Sequence, residues 1–122
     1  MQAHGTLVQM KNYQCKKCGT AIQSGSTPKT SGCPEASYHT WSKLGDVGEK
    51  NYQCKKCGTA IQSGSTPKTS GCPEASYHTW SKLGDVGDKN YQCKKCGTAI
   101  QSSGTPSTSG CPKASYHTWS KL

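Results

Sequence analysis

Phenylalanine and arginine are both absent from the 122 residues, and only 30% of the chain is hydrophobic. With no phenylalanine and so few aliphatic residues, the chain lacks the means to build a large apolar core. No apolar run approaches the roughly 18 residues that a membrane-crossing helix needs, so no membrane role is expected. Arginine's planar fork reads base edges best, and its absence argues against sequence-specific nucleic-acid recognition. The first ten residues lack the basic start and apolar stretch of a secretory leader. Free thiols need reducing surroundings, so an intracellular, cytoplasmic location is the expectation. No stretch carries a helical period of apolar residues.

What the chain has instead is repetition. Residues 11–44 and 50–83 are identical, and residues 89–122 differ from them only at Ser103, Gly104, Ser107 and Lys113. The period is 39 residues, made of a 34-residue module and a five-residue joint. The organisation is a leader over 1–10, modules over 11–44, 50–83 and 89–122, and joints over 45–49 and 84–88. Val8, Val47 and Val86 precede the three modules at one distance, and each is expected to pack on the module that follows or on the seam. A module of this length falls below the roughly 40 residues at which chains usually need disulfides, metal or assembly to stay folded. Its apolar candidates in the first copy are Tyr13, Ala21, Ile22, Ala36, Tyr38, Trp41 and Leu44.

Cysteine and histidine fill the gap. Cys15, Cys18, Cys33 and His39 are spaced Cys-x2-Cys-x14-Cys-x5-His. The same set returns as Cys54, Cys57, Cys72, His78 and as Cys93, Cys96, Cys111, His117. All nine cysteines and three of the four histidines are used, leaving His4 as an expected exposed terminal residue. Three thiolates and an imidazole make the tetrahedral inventory of a structural zinc site, so three Zn2+ per chain are expected. Zinc binding to a finger-sized peptide supplies on the order of 10–16 kcal/mol, enough to replace a missing core. Three cysteines per module always strand one thiol, which counts against a disulfide framework. Iron in a rubredoxin-like site is the other metal such a set accepts.

A site closed by four protein ligands has no open position for a catalytic water. Glu35 and Glu74 sit beside the third cysteine, but Lys113 replaces them in the third module, so no carboxylate is shared as a base. Neither an enzyme nor a small-molecule substrate is expected. Cys15-Lys-Lys-Cys18 as a dithiol redox pair would want cysteines opening a helix in a βαβ unit, and no such pattern is present.

Residues 12–15 read as a short strand running into the first cysteine pair, and Gly19 permits the tight turn that aims backbone N–H groups at sulfur. Residues 20–24 read as a second strand and 25–32 as a polar loop. Residues 39–44 alternate and read as a third strand, with His39, Trp41 and Lys43 on one face. Trp41 would then shield the metal on the side from which His39 reaches in. The expected fold is small and all-β: three tandem modules, each a short antiparallel sheet around a Cys3His site.

Net charge is +9, from fifteen lysines against six carboxylates. Each metal with three thiolates nets −1, so three lower the total to about +6. Lys16 and Lys17 lie between ligand cysteines, where they offset thiolate charge. Any nucleic-acid binding should be weakly specific and salt-dependent, with Trp41, Trp80 and Trp119 better placed beside the metal than stacked on bases.

Residues 48–58, Gly-Glu-Lys-Asn-Tyr-Gln-Cys-Lys-Lys-Cys-Gly, resemble the linker and first knuckle of C2H2 zinc fingers. That resemblance implies tandem zinc modules, and it ends before the helix and paired histidines of that family. The overall spacing is similar to the zinc-ribbon and rubredoxin-knuckle class, with Cys33-Pro34 and His39 forming the second knuckle. This likeness implies structural zinc in proteins used for binding and scaffolding. The leading expectation is a protein-interaction or scaffold module whose three like surfaces favour avidity. An RNA- or DNA-binding array is the second expectation, and head-to-tail self-assembly the third.

Overall fold

The computed structural model describes residues 10–122, so His4 and Val8 lie outside it. Nine strands form three separate three-stranded antiparallel sheets, and no helix is present among the described residues. Module 1 contributes β1 (Lys11–Cys15), β2 (Ala21–Ser24) and β3 (Trp41–Asp46), module 2 β4 (Lys50–Cys54), β5 (Ala60–Ser63) and β6 (Trp80–Asp85), and module 3 β7 (Lys89–Cys93), β8 (Ala99–Ser102) and β9 (Trp119–Lys121). The first strand of each module is central, flanked by the second and third. No helix of the described residues is long and apolar enough to cross a membrane.

The third strand differs from the sequence expectation at both ends. It starts at Trp41 because the two residues before it are committed elsewhere. The His39 N–H donates to Thr30 O at 2.7 Å, and the Thr40 N–H donates to Cys15 Sγ at 3.4 Å. At its far end β3 runs on through Gly45 and Asp46, so the joint begins as strand. The Val47 N–H then donates to Met10 O and the Val86 N–H to Glu49 O. The backbones of these valines thus extend the ladder of the module before them, not of the one that follows.

A register shift lies between Asn12 and Tyr13, where Asn12 pairs with Gly45 and Tyr13 with Lys43. Leu44 is the extra residue of this bulge. Bulges re-aim side chains, and here Leu44 is turned into the neighbouring module. It forms a core cluster with Tyr52 and Ile61, against which Trp80 packs. Gly45, at φ 135°, supplies a backbone conformation that side chains rarely adopt.

Polar groups tie the same seam. Asn12 Nδ2 donates to Gln62 O at 2.8 Å, Gln14 Nε2 to Thr59 Oγ1 at 2.6 Å, and the Lys68 N–H to Leu44 O at 2.9 Å. The second seam repeats this with Asn51 to Gln101 O, Gln53 to Thr98 Oγ1, and Ser107 N–H to Leu83 O. The modules are therefore stacked through a built interface, used twice. Lys11–Asp46 at 3.2 Å and Lys50–Asp85 at 3.3 Å are surface ion pairs between the first and third strands of their modules. At such exposure each contributes about 0–1 kcal/mol.

The joint also has a close approach. A Cβ on Gly48 would land on the Gly64 backbone, and one on Gly87 on the Ser103 backbone. Overpacking of this kind typically costs about 1–3 kcal/mol. Gly48→Ala and Gly87→Ala should each lower the thermal midpoint of the metal-loaded protein, whereas Gly104→Ala, with open space around it, should do so much less. Equal midpoints for Gly48→Ala and Gly104→Ala would contradict the packed joint.

Candidate metal centre

Each module brings its four predicted ligands together. Cys15, Cys18, Cys33 and His39 place one donor atom each within 4.8 Å of all the others, and so do Cys54, Cys57, Cys72, His78 and Cys93, Cys96, Cys111, His117. All nine cysteines are free thiols. Every sequence-predicted ligand is in a cluster, and the described residues contain no further one.

Local structure explains the convergence. The central strand delivers Cys15 at its last residue, fully buried. The chain then turns back on itself, with the Gly19 N–H donating to Cys15 O at 2.8 Å and Gly19 at φ 85°. This turn aims the Lys17 N–H at Cys15 Sγ, 3.4 Å away, and carries Cys18 back beside it. Gly32, at φ 84°, makes the corresponding turn before Cys33. His39 enters just ahead of β3, its ring stacked on Trp41 with centroids 4.6 Å apart and planes at 28°. Trp41 is itself fixed, since its Nε1–H donates to Lys29 O at 2.9 Å. The same histidine–tryptophan stack is present in all three modules.

In each cluster one imidazole–thiolate pair has the spacing of a tetrahedral edge. With metal–sulfur and metal–nitrogen bonds of about 2.3 and 2.0–2.1 Å, a tetrahedron's N–S edge is about 3.5–3.6 Å. His39 Nδ1 lies 3.6 Å from Cys18 Sγ, His78 Nδ1 3.6 Å from Cys57 Sγ, and His117 Nδ1 3.7 Å from Cys96 Sγ. A ligating imidazole usually gives its other nitrogen to an outer partner that orients the ring. Nε2 of His78 and of His117 is buried without a hydrogen-bond partner. The indole stack takes over that orienting role.

The electrostatics suit thiolate chemistry. Burial pushes the Cys15 thiol up, but backbone N–H groups of Cys18, Thr40 and Lys17 and the His39 side chain outweigh it and bring the pKa down to about 6. Cys93 is likewise brought down to about 6. Cys57 moves the other way, to about 11, through burial and the neighbouring Cys54 charge. Burial also raises Cys33 and Cys111, both beside other thiols of their sets, and lowers His78. In the first and third sites one thiol, Cys15 or Cys93, is thus ionised at neutral pH and another, Cys33 or Cys111, is disfavoured as an anion until a cation arrives, which favours occupation by a divalent metal.

The sites are not equally protected. Cys33 and His39 are half-buried, whereas Cys72, His78, Cys111 and His117 are buried. The seam accounts for this, because modules 2 and 3 each have a module docked in front of them. Under a limiting chelator, a native mass spectrometry time course should show one ion leaving faster than the other two. Simultaneous loss of all three would contradict it.

Tyr38, whose direction the sequence left open, is 60% exposed, as are Tyr77 and Tyr116. The seam contacts of Asn12, Gln14 and Leu44 escaped the sequence reading, and the strict recurrence of these residues was their only signal. Comparison with protein-family models, curated proteins and solved structures returns no match to this chain.

Proposed function

We propose that the chain is a non-enzymatic, zinc-stapled repeat protein of the zinc-ribbon type, acting as a scaffold that offers one surface several times to a protein partner. The observation that carries this reading is the gathering of four protein donors in each cluster, with an imidazole–thiolate pair at the separation of a tetrahedral edge. Such closure suits a structural ion and leaves no position for substrate or water. Zinc is favoured over iron because this mixed thiolate–imidazole set matches structural zinc sites. Unpaired thiols fit a reducing, intracellular setting.

The repeated surface is readable in part. Tyr38, Tyr77 and Tyr116 stand out from their modules at like positions, and tyrosine is favoured at protein interfaces. Three weak contacts at fixed spacing bind a repetitive partner with avidity. Nucleic-acid binding draws less support. Tyr13 is buried while Tyr38 is exposed, so these tyrosines do not line one face. The indoles are held against histidines and bonded to backbone, which removes them as base-stacking platforms.

Native mass spectrometry should find three zinc ions per chain, and none after chelation. A folded chain carrying disulfides in place of metal would end this reading. A salt titration against single-stranded oligonucleotides should show no binding even at low salt. Tight, salt-dependent binding would move the proposal to the nucleic-acid alternative.

A further inference from the structure

A buried glutamine sits beside the first ligand cysteine of each of the first two modules. Gln14 and Gln53 are fully buried, yet the Oε1 atom of each has no hydrogen-bond partner. Burying an unpaired amide carbonyl is unfavourable, so what favours glutamine here comes from the nitrogen end. Gln14 Nε2 has two N–H groups to give and two acceptors in reach. One is Gly19 O at 3.0 Å, in the turn that carries Cys18. The other is Thr59 Oγ1 at 2.6 Å, in the next module. A backbone carbonyl only accepts, which holds the amide nitrogen toward Gly19 and makes Thr59 Oγ1 an acceptor as well. The Thr59 hydroxyl keeps its own proton to donate, and Cys57 Sγ lies 3.2 Å away. The second seam repeats every part. Gln53 Nε2 donates to Gly58 O at 3.0 Å and to Thr98 Oγ1 at 2.6 Å, and Thr98 Oγ1 lies 3.1 Å from Cys96 Sγ.

We infer that Gln14 and Gln53 are positioning residues for the metal of the following module, acting across the seam through Thr59 and Thr98 on the thiolates of Cys57 and Cys96. A metal-bound thiolate is a charged acceptor, and a hydroxyl bond to it is stronger than a neutral one. The incoming amide N–H stops the hydroxyl from rotating and polarises it toward sulfur. The donor to the thiolate is thus set by a module that supplies none of the four ligands. Outer partners of metal ligands typically change metal affinity about 10–100-fold. By linkage, docking of module 1 strengthens metal binding in module 2, and metal in module 2 strengthens the docking by the same factor. The second seam couples module 2 to the metal of module 3 in the same way. The ions are therefore held as a coupled row, with each seam acting on the site that follows it.

This relay rests on the structural-ion reading, and the two fail separately. The full chain is loaded with cadmium-113, and each cadmium resonance is assigned through coupling to the β protons of its own cysteines. The signals are then followed under a limiting chelator. Thr59→Val keeps the volume and removes the hydroxyl, and it should shift the module 2 resonance and speed its loss about tenfold. Thr59→Ser keeps the hydroxyl and should match the parent chain. Gln14→Met keeps the straight side chain and removes the N–H groups. It should shift the same resonance and speed its loss by a smaller factor, leaving module 3 unchanged. In the Thr59→Val background, Gln14→Met should add nothing. A Gln14→Met effect of full size in that background overturns the relay, because the glutamine then acts by packing alone. A module 2 signal indifferent to Gln14→Met overturns it too. A folded chain that takes up no cadmium overturns the structural-ion reading as well.

Discussion

Chelation of the metal is expected to abolish the β-sheet signal of all three modules, not merely to loosen the clusters. The apolar cluster of Leu44, Tyr52 and Ile61, with Trp80 alongside, is too little to hold a sheet on its own. Each central strand ends in a fully buried cysteine, Cys15, Cys54 or Cys93, so a metal held there would anchor the strand to which both others pair. The loss per site is on the order of 10–16 kcal/mol, against a total stability of about 5–15 kcal/mol for an ordinary domain. Circular dichroism with stepwise addition of a strong chelator, followed by zinc, would measure it. Retention of sheet structure by the metal-free chain would show that the seams suffice.

Truncating one leucine should have opposite consequences in different copies. Leu44→Ala and Leu83→Ala each empty a sealed position between modules, and large-to-small changes of this kind cost about 2–5 kcal/mol. Leu122→Ala removes a side chain that is 77% exposed and should stay within about 0.5 kcal/mol of the parent in a dilute sample. The comparison is direct because the residues leading up to all three leucines are the same. Guanidinium titration with zinc in excess gives the readout. A uniform effect across the three leucines would mean that each acts inside its own module and would dissolve the seam.

The clusters could be read from sequence because metal chemistry prescribes residue types, and three copies of one spacing prescribe the grouping. Strand identities followed from the same short segments, except where the site claimed backbone groups for itself. Thr40 could have extended β3, yet its N–H goes to Cys15 Sγ. The seam was hidden for a different reason. In an array of like modules, a residue's neighbour in its own copy and the matching residue in the next have the same name. Asn12 pairs with Gln23 across its own sheet but gives its side-chain amide to Gln62, the same residue type in the next copy. No pattern of hydrophobicity or charge distinguishes these partners, and only the stacking of the modules does.

The glycine of each joint, Gly48 or Gly87, nestles against the loop that follows the second strand of the next module, and this contact is alike at both junctions. Nothing in it refers to which module stands on either side. Excising residues 50–88 would bring Gly48 against Ser103, the kind of partner Gly87 already has. The count of modules is thus a free variable of the design. Recombination between near-identical coding segments could lengthen or shorten the array by whole periods, and every product would inherit a junction that already works.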